Sequence, residues 1–138
     1  MRVLAIDYGD SRIGLAVSDP LGIIASPVGT IKSVGMKGDI DALAAKAKEL
    51  GVQKIIVGLP MNMDGSEGVR AEISRKLAAV LSKVSGLSVE LVDERLSTVS
   101  AERVLDEAGM RWDKRKKVVD TMSAQIILGT YLDKQKYL

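Results

Sequence analysis

The sequence predicts an α/β fold, a mixed five-stranded sheet with helices on both faces. Three observations lead there. The N-terminal part holds three short apolar runs separated by Gly, Asp, Ser and Pro, the pattern of an antiparallel meander. The rest alternates segments of helical period with apolar runs that lack polar alternation, the pattern of βαβ units in a sheet covered on both faces. Finally, 138 residues with 46% hydrophobic and 28% charged side chains suit one domain with one core, read as residues 1–138.

The first strand is Val3 to Ile6, ending at Asp7 before the turn Tyr8-Gly9-Asp10. Ile13 to Val17 is the second, closed by Ser18-Asp19-Pro20, and the third spans Gly22 to Ile31. Lys32 to Gly38 is read as a flexible connection. From Asp39 to Leu50 the period changes: Ile40, Leu43, Ala44, Ala47 and Leu50 share one helical face and Gly51 stops it. Lys54 to Gly58 is a buried strand. A loop from Leu59 to Gly65 leads to a helix from Ser66 to Val84, ended by Gly86. Ser88 to Val92 is the last strand. A short helix over Val99–Ala108 and a long one from Asp113 to Lys134 complete the order β-β-β-α-β-α-β-α-α. The tail after Leu132 is expected to fray.

Composition narrows the chemistry. There is no Cys and no His, which removes disulfides, thiolate nucleophiles, zinc–thiolate sites and the commonest general base. Catalysis would have to run on carboxylates, Lys, Ser/Thr, Tyr or a metal held by oxygen. One Trp, three Tyr and no Phe disfavour a base-stacking single-strand binder. No charged leader with an apolar stretch and cleavage site precedes the first strand, and no apolar run approaches the ~20 residues of a membrane helix. The expected location is the cytoplasm, with no membrane partner. Net charge is only +2, but Arg111, Lys114, Arg115, Lys116 and Lys117 crowd together just before Asp120, either a solvated helix start or a phosphate-attracting patch.

Three acids are candidates. Asp7 ends the first strand, although an Asp before Tyr8-Gly9 could equally cap a turn. Glu94 follows the last strand, where ligands of open α/β sheets gather beyond the carboxyl ends; Asp93 beside it faces the other way, and both would also suit a plain surface. Asp120 continues the stripe Ala124, Ile127, Leu128 and Tyr131, where an unpaired carboxylate is costly. A helix N-terminus or Lys116 could also satisfy it. Together the three suggest a shared site: clustered carboxylates repel unless protonated or bridged, and hard oxygen ligands select Mg²⁺ or Mn²⁺. Such ions can hold both the attacking and leaving oxygens of a phosphodiester. The segment Gly58 to Gly68 offers glycines and a following helix start with Arg70 in its first turn; by spacing alone it is an ordinary βα loop, and it is no P-loop.

Four motifs carry a resemblance: Asp7-Tyr8-Gly9 with Arg12-Ile13-Gly14; Gly58-Leu59-Pro60-Met61-Asn62 with Asp64-Gly65; Asp93-Glu94-Arg95-Leu96-Ser97-Thr98; and Lys117-Val118-Val119-Asp120 with Ser123-Ala124. In this order, over essentially the whole chain, they resemble the YqgF/RuvX family, described both as Holliday junction resolvases and as nucleases for the 5′ end of pre-16S ribosomal RNA. The resemblance implies an RNase H-like three-layer fold, catalytic and metal-binding acids at Asp7, Glu94 and Asp120, and Mg²⁺ or Mn²⁺ as cofactor. The partner is nucleic acid, pre-rRNA or branched DNA, and contacts to it are expected from Arg12, Asn62, Arg70, Arg95, Arg115, Lys116 and Lys117. The leading expectation is a metal-dependent endonuclease in ribosome biogenesis. A junction resolvase would use the same chemistry, and paired cuts would call for a homodimer. A non-catalytic ribosome-assembly factor is a further alternative. Asp7-x-Gly9 with Gly14 also resembles the phosphate loop of actin-like ATPases and sugar kinases, but those need two such lobes.

Overall fold

The computed structural model describes residues 1–94 and 112–135, with the backbone alone over 112–121. Its elements are β1 (Val3–Tyr8), β2 (Arg12–Ser18), β3 (Ala25–Lys32), α1 (Met36–Leu50), β4 (Lys54–Leu59), α2 (Val69–Ser85), β5 (Ser88–Asp93) and α3 (Trp112–Gln135). The short helix expected over Val99–Ala108 lies outside the described residues.

The five strands form one sheet in the order β3-β2-β1-β4-β5. β1, β2 and β3 pair antiparallel, while β1–β4 and β4–β5 are parallel, so the sheet is mixed as expected. Strand alternation sorts its side chains onto two faces. Leu4, Ile6 and Tyr8 of β1, Ile13, Leu15 and Val17 of β2, and Ile55 and Val57 of β4 pack against Ile40 and Leu43 of α1 and Leu77 and Leu81 of α2. Val3, Ala5, Ala16 and Ile56 point the other way, to Ala124, Ile127, Leu128, Tyr131 and Leu132 of α3. Two alanines in the middle of that face leave room for α3 to lie close to the strands.

Three elements start three residues away from the expected positions. β3 begins at Ala25 rather than Gly22, because Asp19 Oδ1 accepts the N–H groups of Ile23 (2.7 Å) and Ile24 (2.8 Å) and closes a loop there. α2 begins at Val69 rather than Ser66, whose N–H and hydroxyl are both turned back to Asp64. α1 begins at Met36, inside the stretch read as a connection, and Asp39 sits in its first turn rather than at its start. At the other end, α3 continues past Leu132 to Gln135. α1 and α2 both close at glycines in the left-handed region, Gly51 (φ 67°) and Gly86 (φ 73°).

Edge strand β3 carries Pro27, and the β2–β3 register shifts between Leu15 and Ala16. Proline is tolerated there because an edge strand has N–H groups with no ladder partner.

Asp39 ties the end of β1 to α1. Only 1% exposed, it accepts hydrogen bonds from the Tyr8 hydroxyl (2.5 Å), the Ser33 hydroxyl (2.5 Å) and the Val34 N–H (2.8 Å). Burial alone would raise its pKa, but bonds from Ser33, Tyr8 and Val34 outweigh that and hold it below the usual carboxylate range. Tyr8 is pushed up to about 12 by its own burial and by Asp39. Asp39→Ala would leave two hydroxyls and an N–H without their acceptor. It is expected to cost about 3 kcal/mol, read as a lower urea midpoint at unchanged m-value.

Candidate active site

The parallel strands β1, β4 and β5 all end at one edge of the sheet, and two of the three candidate acids meet there. Asp7 is the penultimate residue of β1 and lies opposite Gly14 of β2. It alternates with Val3 and Ala5, so it stands on the α3 face. Glu94 follows β5 directly, and its N–H reaches the Leu59 carbonyl at 3.3 Å, prolonging the β4–β5 ladder by one residue. Glu94 is therefore in step with Val92, which packs on the α3 side, whereas exposed Asp93 alternates to the other face.

Between Asp7 and Glu94 lies β4, and the residue beneath them is Gly58. A methyl group on its Cα would overlap Glu94 Oε2, and would stand 3.1 Å from Glu94 Cδ and 2.9 Å from Ile127 Cδ1 of α3. The bare Cα is the floor on which the Glu94 carboxyl rests. From there Glu94 shares a hydrogen bond with Asp7 across the strand. Gly58 is expected from the sequence as the last residue of a buried strand and the first of a βα loop, without this role; its signal is a glycine inside an otherwise apolar strand, which often marks close approach of another group.

The electrostatic consequence is large. Glu94 is pushed up to about 8 by burial first, then by the Asp7 charge and the Asp7 hydrogen bond; Arg70 works against the shift and Asp93 adds to it. Near neutral pH the two carboxyls therefore hold a proton between them.

Arg70, in the first turn of α2, donates to the Tyr8 carbonyl (2.6 Å) and to Asp10 Oδ1 (2.6 Å). It pins the β1–β2 turn to α2 and faces Glu94 electrostatically. Because Asp10 is 85% exposed, this ion pair contributes little to stability by itself. Asn62 is tied into its own loop, its N–H to the Ser66 carbonyl (2.8 Å) and its side-chain amide to the Ser66 hydroxyl (2.9 Å). Arg12 opens β2 at the same edge of the sheet, and its Nη1 is buried with no hydrogen-bond partner among the described residues.

Asp120 lies on α3, and its side chain falls outside the described residues, as do those of Arg115, Lys116 and Lys117; Arg95 lies outside them altogether. The backbone gives its position. Ile127 lies against Gly58, and Tyr131 sits at Lys54, its ring centroid 5.1 Å from Lys54 Nζ. Followed backward, α3 thus runs toward the carboxyl ends of the strands, and Asp120 comes about two turns before Ile127.

Comparison with known proteins bears on this geometry. The family described as "RuvX: Holliday junction resolvase" matches residues 1–134. The chain belongs to this family. Relatives named "Putative pre-16S rRNA nuclease" from Myxococcus xanthus and Clostridioides difficile are 49% identical over 133 residues and 50% over 132. Each alignment covers 96% of this chain, and 88% and 94% of the respective relative. Among solved structures, T. thermophilus RuvC in complex with a Holliday junction matches with TM-score 0.62 at 13% identity, over 99% of this chain and 96% of that one. The Fowlpox virus resolvase with its junction DNA matches at 0.58 and 14%, over 98% and 99%. At such identities the likeness concerns the fold, which is the RNase H-like one implied by the motifs.

In this RuvX-family chain the donor set suits a hard divalent cation. Two carboxyls from the ends of β1 and β5, on either side of β4, are pressed together on an oxygen-only site, and a cation could replace their shared proton. Among the described residues no third acid joins them.

Two outcomes follow for the metal-free protein. Glu94 has a folded pKa above its unfolded value of 4.5. Its contribution to stability is therefore fully present below about pH 4.5 and is lost as pH rises toward about 8. Glu94→Gln is expected to flatten that fall in a series of urea titrations across this window. Gly58→Ala is expected to displace Glu94 and cost about 1–3 kcal/mol, with the same flattening; a slope like that of the parent would mean that Glu94 does not rest on Gly58.

Proposed function

We propose that this chain is a divalent-metal-dependent endonuclease that hydrolyses phosphodiesters in structured nucleic acid, processing the 5′ end of pre-16S rRNA during ribosome biogenesis. One observation carries the reading. Asp7 and Glu94, 87 residues apart in sequence, are brought into hydrogen-bond contact at the carboxyl edge of the sheet, over a glycine whose missing side chain makes room for the Glu94 carboxyl. Such a pair is poorly suited to holding a fold together and well suited to holding a cation.

Asp7 and Glu94, joined by Asp120, would hold Mg²⁺ or Mn²⁺. When bound, the cation supplies a Lewis acid that offsets charge building on the phosphate oxygens. The chain's own residues do the rest. On loading, Asp7 and Glu94 would release their shared proton to solvent and hold the cation as carboxylates. Arg70 keeps the β1 end in place through the Tyr8 carbonyl, and its charge tempers the repulsion between the acids. Arg12, Asn62, Arg70, Arg95, Arg115, Lys116 and Lys117 would supply contacts to the phosphate backbone, mostly independent of sequence. For such processing the protein would work in the cytoplasm.

The RNA assignment follows the names of the relatives at 49% and 50% identity. A second reading has its own support: the family description names a Holliday junction resolvase, and the two structural neighbours carry junction DNA. In that case a homodimer would serve the paired cuts.

A panel of end-labelled substrates tests both: RNA spanning the leader and mature 5′ end, matched RNA duplex, and a four-way DNA junction, each with Mg²⁺ or Mn²⁺. The leader RNA is expected to be cut, and Asp7→Asn and Glu94→Gln to lower the rate at least about a hundredfold. Preference for the junction would favour the resolvase. Inertness toward all substrates, or unchanged rates in both variants, would overturn the nuclease reading.

A further inference from the structure

We infer that Arg12 and Lys32, with the hydroxyls of Ser11 and Thr30, form a second anion subsite, which takes a non-scissile phosphate of the nucleic acid beside the Asp7–Glu94 pair. The inference rests on the proposed nucleic-acid substrate and adds to it a place and a direction for the bound strand.

The register puts these groups together. Arg12 pairs with Lys32, Gly14 with Thr30, and Asp7 with Gly14. Ile13, Leu15 and Val17 point into the α1–α2 core while Ala16 points to α3. Arg12 and Gly14 therefore alternate onto the α3 face, and Thr30 and Lys32 with them. Asp7, Gly14 and Thr30 form one row across three strands. Arg12 and Lys32 form the next row out, at the same edge as the acids. From strand spacing and rise, the Cα of Arg12 is about 8 Å from that of Asp7, a span that a single strand crosses in one or two nucleotides.

Left to itself, this arrangement is unfavourable. Two cations directly opposite each other on antiparallel strands repel. Among the described residues Arg12 Nη1 is buried without a hydrogen-bond partner, although a guanidinium has five donors to satisfy and leaving one unpaired inside the protein is costly. Among the described residues neither Arg12 nor Lys32 forms an ion pair; the ion pairs found engage Lys46, Lys54, Arg70 and Arg75 instead.

The space between them is open. A cleft of about 380 Å³ is lined by Ser11, Arg12, Thr30, Ile31 and Lys32. It offers two positive charges and two hydroxyls with no carboxylate, which suits an oxyanion and excludes a metal cation. Its walls are held by backbone bonds from Gly9 N–H to the Arg12 carbonyl (3.0 Å) and from Ser33 N–H to the Ser11 carbonyl (3.0 Å). A phosphodiester here would bridge Arg12 and Lys32 and satisfy the buried nitrogen. A strand reaching this subsite from the acids would cross Gly14, which has no side chain, toward edge strand β3.

The test uses the full chain carrying Asp7→Asn, so that substrate is bound and not consumed. Fluorescence anisotropy with labelled leader RNA, and separately with the labelled four-way junction, gives Kd over a range of KCl concentrations. Adding Lys32→Ala is expected to weaken binding about threefold to tenfold and to lower the slope of log Kd against log salt by somewhat under one. Arg12→Ala should act likewise. Lys32→Glu guards against misfolding as the cause, because it places a carboxylate opposite Arg12. It is expected to keep or raise Tm while weakening binding further. Lys37→Ala, an exposed lysine on α1, is the control and should leave the slope unchanged. Parent-like Kd and slope in Lys32→Ala and Lys32→Glu would overturn the subsite even if the wild type cleaves RNA. A lowered slope in a protein that cleaves nothing would uphold the subsite and overturn the nuclease reading.

Discussion

The arrangement depends on one unfavourable contact made permanent: two carboxyl groups held side by side at the end of a parallel sheet. The strand order β1-β4-β5 sets Asp7 and Glu94 two strands apart, a gap that a side chain on the intervening strand would ordinarily fill. Gly58 leaves it empty, and Ile127 of α3 roofs it. Burial and mutual repulsion then drive a proton onto the pair, and the backbone cannot relax because each acid is fixed by its own ladder. The repulsion is thus borne by the hydrogen-bonded strands of the core, which open only at high free energy.

Around this contact the polar residues divide into those that brace and those that face outward. Asp39, Tyr8, Arg70 and Asp10 brace: Asp39 ties Tyr8 at the end of β1 to α1, and Arg70 ties Tyr8 and Asp10 to α2. Arg12 and Lys32 line the open cleft, and among the described residues neither forms an ion pair. Asn62, by its sequence a candidate for substrate contact, engages its backbone N–H and one side-chain N–H with Ser66 and keeps the other side-chain N–H for a ligand. The difference between these fates lies in geometry that residue type alone does not reveal.

Much of the fold was readable from periodicity. The strands around Val3–Ile6 and Lys54–Gly58 and the apolar stripe Ala124–Ile127–Leu128–Tyr131 lie where alternation and helical spacing put them, because each buries a continuous apolar face. Boundaries went astray where a side chain competed with the backbone: Asp19, Asp39 and Asp64 each capture N–H groups that periodicity alone assigns to a regular element or its neighbour. Asp7 and Glu94 were legible as acids at strand ends. Their contact was not, since it depends on strand order and on Gly58 lying beneath. Lys32 escaped notice because its partner across the ladder is twenty residues earlier and nothing in a linear reading joins them.

The interruption in β3 has a consequence for assembly. A strand that carries Pro27 and shifts register against its neighbour cannot present an even row of donors and acceptors to another chain. On that side of the molecule the sheet cannot grow by backbone pairing, so aggregation through that edge is discouraged. Two copies that meet there must recognise each other through side chains.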